Sequence, residues 1–427
     1  MTDIKNNMTA SKMYERSISL PRGTLDLTYQ TNFSGDSKNY ELEDLLGFAQ
    51  RINPKRAFLF VSKVLGRHIP VAPSTMRHAF TNLANLVPDD LPEPILVIGM
   101  AETAVGLSAG VHQALQTRYP NALLLNSTRH SQHNKDNTET LLTTFSEDHS
   151  HASQHLIYQS ADTVTQAQLL ASKTLIMVDD EASTGNTCVN VVTALRNAGL
   201  TELEQVHLTT LVDWSLNQNR AQADVDDNIS ARLPNIDFHR HHLLSGAWQW
   251  TDATNPESIT MPSVDTTEAG SHTLGDTGNW GRFPTLDSTD GFAYYLMKFQ
   301  TAFNIFNHQA QSEKEQFDNE QLPQRILVLG SNEFVWLPFL LAEWLETQNQ
   351  NSTVNFSALT RSPIALGGAI TTMLSFSDNY GLGMTNFAYN VEPSDWDLIV
   401  LCVETSADSV DEMWKDLDNV LVVSPTL

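Results

Sequence analysis

The run Leu175-Ile-Met-Val-Asp-Asp-Glu-Ala-Ser-Thr-Gly-Asn-Thr187 passes from apolar to acidic to hydroxyl-rich within 13 residues. Leu175 to Val178 read as a short buried strand, and Asp179 and Asp180 stand where it ends. A loop of small residues follows. Val191, Val192, Ala194 and Leu195 then keep helical spacing until Gly199. Strand, acid pair, Gly-Thr loop and helix start suit a phosphorylated sugar. N–H groups at a tight turn and a helix N-terminus bind phosphate. Carboxylates accept hydrogen bonds from vicinal hydroxyls, at about 1.5–3 kcal/mol for each charged bond.

Upstream, Ile95-Leu-Val-Ile98 is another buried strand, running into Gly99-Met-Ala-Glu-Thr-Ala104 and a helix through Leu115. Ala122 to Leu125 is the next strand and ends in Asn126-Ser-Thr-Arg-His130. Strand, helix, strand implies a right-handed parallel unit. A strand near Leu156, a helix over Thr163 to Ala171 and a strand from Val206 to Val212 continue the pattern. The expected fold is α/β with an open, mostly parallel sheet, whose ligands bind at the carboxyl ends of the strands. Residues 99–103, 128–129 and 179–187 all fall at such ends. Nearer the N-terminus, Arg22 to Thr31 alternates as a strand, and Leu45 to Asn53 is expected to be helical.

The composition narrows the partners. With 25 basic against 50 acidic residues, the net charge of −25 argues against nucleic acid, which needs clustered cations. No run reaches the ~18 apolar residues of a membrane span. Residues 1–20 are polar and read as a loose arm. Cys188 and Cys402, the two cysteines, build no disulfide framework, which suits a reducing cytoplasm. One segment breaks the acidic trend: Arg51, Lys55, Arg56, Lys63, Arg67 and Arg77 occur with no Asp or Glu between Arg51 and Pro88. Such a patch suggests a local anion site.

The second half repeats the first in outline. Arg325-Ile-Leu-Val-Leu-Gly-Ser-Asn-Glu333 restates Pro94-Ile-Leu-Val-Ile-Gly-Met-Ala-Glu102, and Thr360-Arg361 restates Thr128-Arg129. Gly99 to Arg129 is 30 positions and Gly330 to Arg361 is 31. Leu398-Ile-Val-Leu-Cys-Val-Glu-Thr405 overlays the Leu175 stretch with Cys402 and Val403 in place of the acids. The expected division is an arm over 1–20, a first domain over 21–250, a connecting loop over 251–290, and a second α/β domain over 291–427, a degenerate copy of the first. Phe292, Tyr295, Leu296, Phe299, Phe303 and Phe306 form a helical stripe expected to be core.

The Leu175–Thr187 stretch resembles the PRPP-binding signature of type I phosphoribosyltransferases. Its letters also resemble the opening of receiver domains, but a receiver needs a Lys on a later strand, and none occurs between Lys173 and Lys298. With Arg56-Ala-Phe-Leu-Phe-Val-Ser-Lys63, Gly99 to Ala104, Glu147-Asp-His-Ser-His-Ala152 and Thr360-Arg-Ser-Pro363, nearly the whole chain beyond the arm resembles one family. In it a phosphoribosyltransferase domain precedes a TRSP domain, in bacterial tellurite-resistance and stress-response gene clusters where a nucleoside-like metabolite is inferred.

The resemblance implies that Asp179 and Asp180 hold the ribose hydroxyls and that Ser183, Thr184, Gly185, Asn186 and Thr187 cradle the 5-phosphate. Ala101, Glu102, Thr103 and Arg129 would face pyrophosphate, and Mg²⁺ would enter with PRPP. His149, on the expected closing loop, would serve proton transfer. Lys63, Arg67, Trp248 and Arg361 are candidate anion or acceptor contacts. The expected activity is transfer of ribose 5-phosphate to a base-like acceptor with release of pyrophosphate. A non-catalytic PRPP or nucleotide sensor, a phosphorolytic enzyme, and a purely structural second domain remain alternatives. A homodimer or operon-encoded protein partners would fit either role.

Overall fold

The computed structural model describes residues 12–31, 40–51, 56–131, 140–146, 154–216, 229–256, 258–264, 277–310, 322–348 and 350–426. Its centre is β5 (Ile95–Gly99), β6 (Leu123–Asn126), β9 (Thr174–Ala182), β10 (Gln205–Asp213) and β11 (Asp237–Asp252). These pair in parallel in the order β11-β10-β9-β5-β6. Every residue of β5 and β6 is buried, as expected for strands covered on both faces. Helices α3 (Val105–Leu115) and α5 (Asn186–Asn197) connect and cover them. The open, mostly parallel sheet read from sequence is present.

Three expectations need correction. Leu45 to Asn53 is not helical: one turn, α1 (Leu42–Leu45), gives way to strand β3 (Leu46–Arg51). β3 pairs antiparallel with β4 (Phe58–Ser62), and Leu46, Ala49 and Gln50 are all buried, so tertiary pairing overrides local pattern. The arm is ordered from Tyr14. β1 (Tyr14–Leu20) lies antiparallel on β2 (Gly23–Thr31), which lies antiparallel on β11, and Tyr14 stacks on Tyr29 at 5.4 Å. The strand near Leu156, β8 (Gln154–Tyr158), lies outside the main sheet and pairs antiparallel with β7 (Leu141–Ser146).

The connection between domains is built in as well. Among residues 277–290, Thr285 bridges Leu124 and Gly281 accepts a 2.7 Å bond from the Asn126 N–H, so this segment straps the free edge of β6. Helix α6 (Phe292–Ala310) follows and buries Tyr295, Phe299 and Phe303, the core stripe seen in sequence.

The second domain runs β12 (Arg325–Ser331), α7 (Trp336–Gln348), β13 (Thr353–Leu359), then β17 (Leu398–Cys402) and β18 (Val420–Val423). Its parallel order, β13-β12-β17-β18, matches β6-β5-β9-β10 strand for strand. Register corrects the overlay by one residue. Gly99 pairs with Val178 and Gly330 with Cys402, so Val403 and Glu404 occupy the positions of Asp179 and Asp180.

The two domains share one core. Phe80 packs edge-on to Phe339 at 5.4 Å, and Arg77 reaches Glu343 at 2.7 Å. β14 (Ile364–Ala365), just past the Thr-Arg-Ser-Pro motif, pairs with Arg51 and Gln50 of β3. The small sheet β14-β3-β4 is therefore made by both domains.

Candidate active site

A cavity of about 630 Å³ opens at the carboxyl ends of β5 and β9, between the main sheet, the β14-β3-β4 sheet and the Thr360–Pro363 turn. Each wall follows from local sequence.

The first wall is the loop after β5. Gly99 is required there: a Cβ would collide with Ser108 Oγ and the Asn126 amide. The Ala101 N–H donates to Ser127 Oγ at 3.0 Å, and Ser127 Oγ lies 3.0 Å from His155 Nδ1. His155 is buried and stacks on Phe145 at 4.7 Å, so it backs this loop rather than closing over the cavity.

Glu102 receives both Arg67 and Arg361, the latter through Nε at 3.0 Å. Burial would raise the Glu102 pKa, but the Arg67 and Arg361 charges and the Arg361 hydrogen bonds outweigh it and hold it at about 2. Burial opposes the charge on both arginines too. At Arg361 the Glu102 carboxylate prevails, whereas at the more deeply buried Arg67 burial does and the pKa falls. Arg67 also donates to the Asn332 carbonyl at 2.5 Å. Glu333 answers from the second domain, accepting from Thr128 Oγ1 at 2.5 Å and from the Arg129 N–H at 2.9 Å.

The second wall is the acid pair and its loop. Burial, reinforced by Glu181, pushes Asp180 up to about 6 against the hydrogen bonds that lower it, from Asp179 and from nearby backbone. Gly185 takes φ +75°, where a Cβ would meet Ile229, and begins α5 without a side-chain cap. The Asn186 N–H donates to Thr184 Oγ1 at 3.5 Å, and the N–H groups that follow it at the helix start face an anion site.

The third wall is aromatic and basic. Arg56 grips Glu181 with two bonds, 2.6 and 3.0 Å, while its guanidinium lies 4.8 Å from both the Phe58 and Phe60 ring centroids. Phe60 stacks on Trp214 at 4.4 Å, and Trp248 packs edge-on to Phe58 at 4.9 Å. Arg51 stands at the end of β3 beside Arg56.

The cavity brings together Ala101, Glu102, Thr103, Arg129, Asp179, Asp180 and Ser183 to Thr187, along with Arg67, Trp248 and Arg361. Arg361 therefore joins the first-domain site. Lys63 does not take part. Its ammonium caps the Glu43 carbonyl at 2.8 Å on the exposed surface. His149 and the Glu147–Ala152 motif lie outside the described residues. The sequence assigns no role to Glu181, His68 or Ser362, and shows Arg51 and Arg56 in a basic run, Arg56 also opening a family signature; all five line the cavity.

An open parallel sheet with an acid pair and an uncapped helix start at its strand ends defines the type I phosphoribosyltransferase class. A family model described as phosphoribosyl transferase matches residues 45–246, and one for the TRSP domain C-terminal to it matches residues 299–420. The chain belongs to the family with this two-domain architecture, and its chemistry is PRPP-dependent phosphoribosyl transfer.

Among solved structures, adenine phosphoribosyltransferase from Trypanosoma brucei, in complex with AMP, pyrophosphate and ribose-5-phosphate, is 11% identical, with 47% of this chain and 76% of that chain covered and a TM-score of 0.30. The enzyme from Leishmania tarentolae is 13% identical, covering 48% and 85%, at 0.32. That from Giardia lamblia, complexed with 9-deazaadenine, is 11% identical, covering 47% and 96%, at 0.28. At these scores the likeness carries no argument of its own. No curated protein matches the chain. Among the described residues no helix is long and apolar enough to cross a membrane.

Proposed function

We propose that the cavity binds PRPP in one orientation and transfers its ribose 5-phosphate to a base-like acceptor. Asp179 and Asp180 accept hydrogen bonds from the ribose hydroxyls. The backbone and hydroxyls of residues 183–187 hold the 5-phosphate. Ala101 to Thr103 and Arg129 face the pyrophosphate, and Arg361 adds a second guanidinium from the TRSP domain. The observation that carries this reading is the acid pair standing beside the uncapped α5 N-terminus in one cavity.

The donor set fits Mg²⁺ carried in with PRPP. Among the described residues no group of three or more His, Cys, Asp or Glu side chains would cage a metal, while two adjacent carboxylates suit an ion that keeps its waters and phosphate ligands. When bound, Mg²⁺ would neutralise charge on the departing pyrophosphate. The chain itself aligns C1 between leaving group and acceptor. The bond from C1 to the pyrophosphate oxygen breaks, the acceptor nitrogen bonds to C1, and the acceptor proton passes to solvent or a nearby base. Arg129 and Arg361 stabilise the charge that develops on the leaving oxygen.

The functional units proposed are 14–250, which takes in β1, and 291–427, in a cytoplasmic enzyme whose product feeds synthesis of a nucleoside-like metabolite. The test is pyrophosphate release from PRPP across a panel of heteroaromatic acceptors. Release with some member, lost in Asp179→Asn/Asp180→Asn, supports transfer. PRPP binding with no release from any member would favour the sensor reading.

A further inference from the structure

We infer that the acceptor carries a negative charge, a carboxylate on or beside its ring, and that Arg51 receives it. The inference rests on the transferase reading and names the substrate class of that site. Most of the cavity's arginines have assigned work: Arg67 and Arg361 share Glu102, and Arg56 is held by Glu181. Arg51 differs. Its Nε donates to the Arg56 carbonyl at 3.3 Å, and its terminal nitrogens have no hydrogen bond or ion pair among the described residues while the side chain lines the cavity.

Burial lowers its pKa, the neighbouring Arg56 lowers it further, and Glu181 only partly compensates. Two guanidiniums thus share one carboxylate in a half-buried place. A charge held there unpaired is costly unless a partner arrives. The planar fork of arginine matches a carboxylate with two parallel bonds.

The position of Arg51 separates this anion from pyrophosphate. Glu181, bound to Arg56, directly follows the ribose acids on β9, and Phe60 and Trp248 line the same end of the cavity. The pyrophosphate loop has its own guanidiniums. A flat ring against Phe60 and Trp248, with its acid toward Arg51, would set its nucleophilic nitrogen at the C1 side of the ribose. Arg51 also pairs with Ile364 through the backbone, so the TRSP domain fixes the strand that presents it.

The experiment uses the full chain with Mg²⁺. PRPP is titrated first into wild type, Arg51→Gln and Arg51→Lys. The PRPP-loaded proteins then receive pyridine-3-carboxylate or its carboxamide, and orotate or uracil, with binding heat and pyrophosphate release as readouts. The expected result is that at least one acid engages wild type about tenfold or more tightly than its neutral counterpart, the worth of one charged bond. Arg51→Gln should erase that preference, Arg51→Lys should keep part of it, and PRPP affinity should stay within about twofold throughout. Acids engaging no better than their neutral partners would overturn the inference. So would a preference that survives Arg51→Gln, or a loss of PRPP affinity in that variant. A wild-type chain that fails to bind PRPP in the first titration would instead overturn the transferase reading.

Discussion

Residues 99–129 and 330–361 follow the same path, strand to Gly loop to helix to strand to Thr-Arg, and end in opposite uses. Each loop carries a glutamate, and each glutamate is bonded to the other copy's Thr-Arg turn: Glu102 to Arg361, and Glu333 to Thr128 and the Arg129 N–H. The exchange is reciprocal, as at an interface between two copies of one unit. Beyond that point the copies diverge. The first places Asp179 and Asp180 on a cavity with the uncapped α5 start beside them. The second places Val403 and Glu404 there, and Glu404 is buried, ion-paired with Arg282 and bonded by Tyr380 at 2.8 Å. The acids that line a cavity in one copy thus correspond to a carboxylate satisfied internally in the other. The second domain lends Arg361 and Ser362 to the first-domain cavity, and β14 to the small sheet beside it.

The largest expected break comes at the shared glutamate. Glu102→Ala leaves Arg67 and Arg361 buried without their carboxylate, and should cost about 3–5 kcal/mol in denaturant unfolding. The sign in pH is fixed by the lowered pKa of Glu102. Its contribution is complete above its unfolded value, near 4.5, and fades as pH falls toward 2, so Glu102→Gln should flatten the acid limb of the wild-type curve.

A smaller effect of two signs is expected at Asp180. Its carboxyl is raised to about 6, so the free fold is favoured with that proton on, fully below the unfolded pKa near 3.8, and loses this advantage as pH rises through 6. Asp180→Asn should therefore stabilise the unliganded chain at pH 8, by no more than about 2 kcal/mol, because part of the carboxyl still meets cavity water. The same variant should weaken PRPP binding by about 1–3 kcal/mol, and wild-type affinity should itself fall as pH drops below 6. Calorimetry and thermal melts on one pair of proteins check both signs.

The smallest effect sharpens the contrast. Glu404→Gln, at the matching position of the second domain, should leave PRPP affinity within about twofold of wild type, whatever it does to stability.

The parts legible in sequence were those whose partners lie close by along the chain. Asp179 to Thr187 carry strand, acids and anion loop in one run, and the β5-α3-β6 unit is written in apolar periodicity. The roles of Arg56, Arg67 and Arg361 were not legible, because each is set by a distant carboxylate: Glu181 lies 125 positions from Arg56, and Glu102 lies 259 from Arg361. Leu46 to Arg51 reads ambiguously because its strand state depends on pairing with β4 and with β14 from the other domain. The Cys402 overlay slipped by one because apolar runs on buried strands carry no register of their own; only the pairing with Gly330 sets it.

One of the two copies, the one with the acid pair, is expected to bind PRPP. Calorimetric titration of PRPP with and without Mg²⁺, on wild type and on Asp179→Asn/Asp180→Asn, tests it most directly. One Mg²⁺-dependent site per chain is expected, lost in the double variant. Undiminished binding in that variant, or two equivalent sites per chain, would contradict it.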